Sequence, residues 1–123
     1  MQTFTKAERL SGKIAIEKLV KTGKSLNTNF FKIIWLETVE GSVPAQIVIT
    51  VPKRSFKKAV DRNRLKRIIR EAYRKNKDKF YVDLKNKKVL LMFIYTPKTI
   101  VGYKEMEEKI IVSLKRLSST INS

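Results

Sequence analysis

Between Lys53 and Lys75 the chain carries eleven basic side chains: Lys53, Arg54, Lys57, Lys58, Arg62, Arg64, Lys66, Arg67, Arg70, Arg74 and Lys75. Only Asp61 and Glu71 oppose them. This is phosphate-binding chemistry. A guanidinium is a planar fork of donors that meets a phosphate bidentately and stacks on a base, whereas an ammonium acts as a point charge. Placed on a helix, at about 100° per residue, Leu65, Ile68, Ile69, Ala72 and Tyr73 form one apolar stripe. Asn63, Lys66, Arg67, Arg70 and Arg74 form the face beside it. Like charges at i,i+4, such as Lys66 with Arg70 and Arg70 with Arg74, each destabilise an isolated helix by a few tenths of a kcal/mol. A solvated charged face would have to tolerate them. A polyanionic partner relieves them, and the sequence favours that reading.

Composition excludes much else. The 123 residues include 28 Lys and Arg against 11 Asp and Glu, for a net charge of +17, and neither His nor Cys. No thiol nucleophile, Ser-His pair, Cys/His zinc site or disulfide can be built. The remaining acids offer no metal centre. Glu37 and Glu40 lie near a turn, and Glu105, Glu107 and Glu108 open the last helix, where they complement its dipole. Asp61 and Glu71 sit among guanidinium groups as partial charge relief. We therefore expect no catalytic residue, no metal ligand and no cofactor bound by the protein alone. The apolar runs fall short of the ~18–20 residues of a membrane span, and the N-terminus lacks the apolar core of a signal peptide. The expected location is cytoplasmic, with no membrane partner, and RNA or DNA is the first partner to consider.

These side chains need a scaffold, and 42% hydrophobic residues are enough for one domain with a core, expected over 1–123. Residues 1–10 read as a lead-in, with Thr5 and Glu8 at capping-box spacing. A helix is predicted over 12–22, stopped by Gly23. Strands are predicted over 29–38 and 45–51, paired as an antiparallel hairpin, and 24–27 could add a short edge strand. The basic helix is predicted over 57–75, followed by a charged connection. The apolar run 88–95 reads as a buried central strand. A last helix over 103–118 turns Met106, Ile110, Leu114 and Leu117 inward, and 118–123 are expected to fray. The order implies an α+β fold, with helices against one mostly antiparallel sheet.

The run Arg62-Asn63-Arg64-Leu65-Lys66-Arg67-Ile68-Ile69-Arg70-Glu71-Ala72-Tyr73, preceded by Lys53, Arg54 and Ala59, closely resembles the arginine–asparagine–arginine signature of the bacterial ribonuclease P protein component. Phe4, Lys6, Arg9 and Leu10 resemble the family's N-terminal pattern, and Gly23 the end of its first helix. The resemblance covers nearly the whole chain. It implies a four-stranded αβββαβα sandwich with a left-handed βαβ crossover, against the usual right-handed rule. It also implies the protein subunit of an endoribonuclease whose catalytic RNA, using Mg²⁺, hydrolyses the 5′ leader from precursor tRNA. On this resemblance Lys53, Arg54, Lys57, Lys58, Arg62, Asn63, Arg64, Lys66, Arg67, Arg70 and Arg74 face the catalytic RNA. A cleft between the first helix and the sheet would take the leader, at Ile16, Val20, Phe30, Lys32 and Ile34. The family commonly has aromatic rings in this cleft where this chain has Ile16, Val20 and Ile34. Phe30 shares strand parity with Lys32 and Ile34, so either it supplies a ring to that face or, like Phe31, it belongs to the core. Trp35 has core parity.

Two other functions stand beside this one: a general RNA-binding or ribosomal-protein-like module, and a DNA-binding architectural protein that lays the basic helix in a major groove. The basic run with its preceding loop favours the ribonuclease P reading. Without RNA the chain is expected to be a monomer.

Overall fold

The computed structural model describes residues 4–123, so 1–3 of the expected lead-in lie outside the described residues. A 3₁₀ turn at Lys6–Glu8 leads into α1 (Lys13–Thr22), β1 (Lys24–Asn27), β2 (Phe31–Thr38), β3 (Ala45–Thr50), α2 (Ala59–Asp83), β4 (Lys88–Tyr95) and α3 (Tyr103–Asn122). This is an α+β fold with one mixed four-stranded sheet in the order β1-β2-β4-β3. β1 with β2 and β2 with β4 run antiparallel, while β3 with β4 runs parallel.

The expected β2–β3 hairpin is thus corrected: β4 lies between the two strands. Val89 N–H donates to Pro44 O at 2.9 Å, and Lys88 Nζ to Gly41 O at 2.7 Å, so the 39–44 connection arches over the start of β4. The physical reason is the character of β4 itself. Val89, Leu91, Phe93 and Tyr95 are buried toward α2 and α3. Met92, with half-buried Leu90 and Ile94, faces α1 across the other side of the sheet. A strand apolar on both faces is stable only at the centre, and hairpin proximity yields to that. The β3–α2–β4 unit is the parallel crossover to which the family resemblance assigns a left hand.

Two helix boundaries also move. α2 runs eight residues past the predicted end at 75, because Tyr73, Lys77, Phe80 and Leu84 keep helical spacing and are all buried. It stops where Lys85 and Asn86 adopt left-handed φ values of 53° and 71°. The last turn of α3 is anchored rather than frayed. Ile121 is buried in the core, Asn122 Nδ2 donates to Asp83 O at 2.6 Å, and Lys87 Nζ reaches Ile121 O at 3.0 Å.

The N-terminal segment seals the β3 edge. Leu10 N–H donates to Ile47 O at 2.9 Å, and Arg9 bridges Ile47 in parallel, giving an otherwise open strand a partner. On one side of this edge Leu10 enters the α1-side cluster. On the other, Phe4 meets Tyr73 edge-on at 6.1 Å. Glu8 sits between them, 3% exposed, with Lys77 Nζ at 2.5 Å. It also accepts from the Tyr81 hydroxyl and from Thr5 N–H at 2.9 Å. Burial opposes its charge, but Lys77, Thr5 and Tyr81 together hold the Glu8 carboxyl below the usual range. Burial also pushes the Tyr73 and Tyr81 hydroxyls well up, so both stay protonated donors.

Removing one member of a buried pair leaves the other uncompensated, at ~3–5 kcal/mol. Glu8→Gln is therefore expected to lower stability by about that amount at neutral pH, measured by urea unfolding. A lowered folded pKa contributes stability above the ordinary glutamate value of 4.5 that is lost as pH falls through the lower, folded one. The difference between wild type and Glu8→Gln should accordingly shrink toward zero as pH drops below 4.5.

Candidate nucleic-acid interface

The basic segment is a loop followed by a helix face, and each is held by a different device. Val51 and Phe56 are buried at the two ends of the loop, and the Phe56 ring packs against Tyr95 at 6.1 Å. A turn closes between them, with Ser55 and Phe56 N–H both directed to Pro52 O at 3.2 Å. Arg62, in the first turn of α2, reaches back: its Nη1 donates to Phe56 O at 2.8 Å and to Lys57 O at 3.0 Å. These contacts leave Lys53, Arg54, Lys57 and Lys58 exposed around a fixed anchor.

On α2 the apolar stripe is buried at Leu65, Ile69, Ala72 and Tyr73, with Ile68 half-buried. Asn63, Arg64 and Arg67 are exposed, and Lys66 and Arg70 half-exposed beside the stripe. Among the described residues, no carboxylate forms an ion pair with Arg64, Lys66, Arg67 or Arg70. Arg74 differs. Its Nε and Nη2 grip Glu71 at 3.0 and 2.5 Å, and that bidentate contact holds the Glu71 carboxyl below its usual range. The structure therefore sorts the predicted set: Arg62 supports the loop, Arg74 is tied to Glu71, and the other basic side chains form no ion pair among the described residues.

The second predicted surface is the α1 side of the sheet. Gly23 N–H caps α1 on Leu19 O at 2.8 Å, and a Cβ at Gly23 would lie 2.7 Å from Ile34 Cγ2. A glycine is thus what lets α1 close onto β2. Ile16 and Ile34 join the cluster of Leu10, Leu19 and Met92. Val20, one turn beyond Ile16, is 51% exposed on the flank of α1. Lys32 is exposed opposite Ile94 in the sheet register. Half-buried Leu36, Val48, Leu90 and Ile94 complete an apolar floor that the sequence alone did not assign to this surface.

Phe30 is not part of that floor. It precedes β2, in a bend where Thr28 N–H donates to Phe31 O and Thr96 N–H to Phe30 O. Strand alternation does not extend through a bend, so the parity argument breaks there. The Phe30 ring instead packs edge-on against Tyr95 at 6.0 Å, under Lys109 Nζ of α3 at 5.4 Å, on the opposite side of the sheet. Trp35 is buried as expected. Among the described residues no three acidic side chains gather as a metal site, and no helix is long and apolar enough to cross a membrane.

A sequence model of the ribonuclease P family matches residues 4–118. The chain belongs to the ribonuclease P protein family. A ribonuclease P protein component from Chlorobaculum tepidum is 34% identical over 100 residues, covering 73% of this chain and 65% of the relative. One from Porphyromonas gingivalis is 26% identical over 123 residues, covering 98% and 90%. The solved ribonuclease P protein from Thermotoga maritima superposes with a TM-score of 0.71 at 29% identity, over 89% of this chain and 96% of that one. The chain spans just under two-thirds of the length of the Chlorobaculum relative.

As a ribonuclease P protein, this chain keeps the arginine–asparagine–arginine run of Arg62, Asn63 and Arg64 on one continuous helix, but its first arginine faces the loop backbone. Arg62→Ala is expected to leave α2 folded while loosening 53–58. Hydrogen bonds to a charged group are worth ~1.5–3 kcal/mol, so amide exchange in the loop should accelerate about tenfold or more. Arg70→Ala should leave that exchange unchanged.

Proposed function

We propose that this protein is the protein subunit of a ribonuclease P holoenzyme, binding the catalytic RNA through the 52–58 loop and α2 and the 5′ leader of precursor tRNA on the α1 side of the sheet. The observation that carries the reading is the basic face of α2, where Arg64, Lys66, Arg67 and Arg70 form no ion pair among the described residues, set beside a basic loop pinned by Phe56 and Arg62. Bringing a polyanionic substrate to a polyanionic RNA is repulsive. Neutralising phosphates and releasing their counterions lowers that cost. Mg²⁺ serves the RNA, which performs the hydrolysis, and the protein supplies no catalytic group. It works in the cytoplasm and is a monomer when no RNA is bound.

On the α1 side, Ile16, Val20 and Ile34 offer apolar contact without stacking, and Lys32 offers charge. A leader base that stacks on an aromatic ring gains ~1–3 kcal/mol. The test is a pair of affinities, for precursor and for mature tRNA, measured on holoenzymes carrying variants. Lys32→Ala should weaken precursor binding and leave mature tRNA unaffected. Val20→Phe adds a ring at an exposed position of the groove and should tighten precursor binding alone. Phe30→Ala should not discriminate between the two ligands, since its ring lies on the opposite face. Equal effects of Lys32→Ala on both ligands would overturn the leader assignment.

A further inference from the structure

Among the described residues Glu8 is the one buried carboxylate and Lys77 the one buried cation, and they meet where the basic face of α2 stops. Two helical turns take about seven residues, so a residue seven positions on returns to nearly the same face. Lys77 lies seven beyond Arg70, and Tyr81 seven beyond Arg74, so both continue the face that carries Lys66, Arg70 and Arg74. There the N-terminal segment lies across the helix. The Phe4 ring meets Tyr73 edge-on at 6.1 Å, and Lys77 Nζ is 6.0 Å from the centre of the same ring. Glu8 accepts from Lys77 Nζ at 2.5 Å and from the Tyr81 hydroxyl. The segment is fastened again at the β3 edge, where Leu10 N–H donates to Ile47 O at 2.9 Å. Earlier on the same face Lys66 and Arg70 are half-exposed and form no ion pair among the described residues. Stability alone does not call for a charged pair here, because apolar replacements of buried pairs are often neutral or stabilising. What the Glu8 carboxylate offers Lys77 is what a phosphate would offer it, an anionic oxygen accepting a charge-assisted hydrogen bond.

We propose that Glu8 is a specificity-determining residue: its carboxylate holds Lys77 in the place of an RNA phosphate, so that the RNA-binding face of α2 ends at Arg74. The proposal rests on the reading of α2 as the face for catalytic RNA, and it sets the limit of that face. With the segment docked, a strand running along the helix meets Phe4 and the segment backbone at the next turn instead of a further cation. When the carboxylate is lost, the face gains the Lys77 ammonium and the Tyr81 hydroxyl. Phosphate contacts add affinity but carry no sequence information, so a cation released there strengthens the binding of any RNA. A catalytic RNA seated on the shorter face places no phosphate at Lys77 and gains nothing. Holding Lys77 on Glu8 therefore lowers affinity for wrong partners, which is how discrimination is made when attraction alone is unselective.

The experiment uses the full chain with two RNAs, the catalytic RNA and an unrelated oligouridylate, and measures affinity against salt. The variants are Glu8→Gln, Glu8→Asp, Asp78→Asn and the double variant Glu8→Gln with Lys77→Met. Asp78, an exposed acid beside Lys77 in the chain, controls for the loss of one negative charge. Each phosphate contact to a single strand contributes about 0.7 to the slope of log affinity against log salt. Glu8→Gln should steepen the oligouridylate slope by about 0.7 and lower the ratio of catalytic-RNA to oligouridylate affinity. Asp78→Asn should leave the slope unchanged, and the double variant, which has no cation to release, should return it to the wild-type value. Glu8→Asp keeps the charge but shortens its reach by one methylene, so it should shift the slope in the same direction by less. It decides the question if Glu8→Gln does not fold. An unchanged oligouridylate slope in the folded Glu8 variants, an equal steepening in Asp78→Asn, or a steepening that survives Lys77→Met would each overturn the proposal. So would a loss of affinity for both RNAs, which is what a purely structural Glu8 gives. If wild type binds the catalytic RNA with steep salt dependence while the Glu8 variants behave like wild type, the proposal fails and the α2 reading stands. If the Glu8 variants steepen the oligouridylate slope but Arg64, Lys66, Arg67 and Arg70 changed together to Ala leave catalytic-RNA affinity intact, Glu8 holds a cation from RNA as proposed and the α2 reading fails.

Discussion

Helix α2 has to hold its shape against the repulsion of its own basic face. Its apolar stripe decides the outcome. Leu65, Ile69, Ala72 and Tyr73 are fully buried against the sheet and α3. Burying a large apolar side chain contributes ~1.5–3 kcal/mol, against a few tenths lost per like-charge pair. Packing wins by a wide margin, so the helix can carry Arg64, Lys66, Arg67 and Arg70 without neutralising acids. Further along the helix Arg74 is paired with Glu71, one turn earlier, and Lys77 with Glu8. The surplus repulsion is then available to favour a polyanion.

The two surfaces of the molecule depend on one strand. β4 turns alternate side chains to α2 and α3 on one side and to α1 on the other, so the same eight residues fix the basic helix and floor the apolar groove. The N-terminal segment completes this arrangement. It pairs with the exposed edge of β3, sends Leu10 to one face and Glu8 to the other, and buries a carboxylate against Lys77 and Tyr81. A buried ion pair is weak evidence of net stabilisation. Here its geometric effect is to fix where the segment crosses the edge.

Local features of this fold were legible in the sequence, and long-range ones were less so. The β4 boundaries follow from an uninterrupted apolar run between Lys87 and Pro97, and the α3 core face from Met106, Ile110, Leu114 and Leu117. The β2–β3 hairpin failed because adjacency in sequence says nothing about a third strand arriving later from a crossover. The helix end at 75 failed because Lys77 reads as a surface residue unless its partner, 69 positions earlier, is known. The same blindness applies to the site. Residue type marked the arginines, and Glu71 was legible as local charge relief, but residue type does not show that Arg62 serves the backbone carbonyls of the loop. Phe30 was left open between cleft and core because strand alternation was carried through a bend, and its ring packs with the core against Tyr95.

The central claim is that the unpaired basic side chains of α2, Arg64, Lys66, Arg67 and Arg70, are what this protein brings to a catalytic RNA. It is tested most directly by cleavage of precursor tRNA by that RNA at low Mg²⁺, with and without the protein. The wild-type chain should restore cleavage at Mg²⁺ concentrations where the RNA alone is inactive. A variant with Arg64, Lys66, Arg67 and Arg70 all changed to Ala, shown to be folded, should not. No rescue by the wild-type chain, or full rescue by the folded variant, would contradict the account.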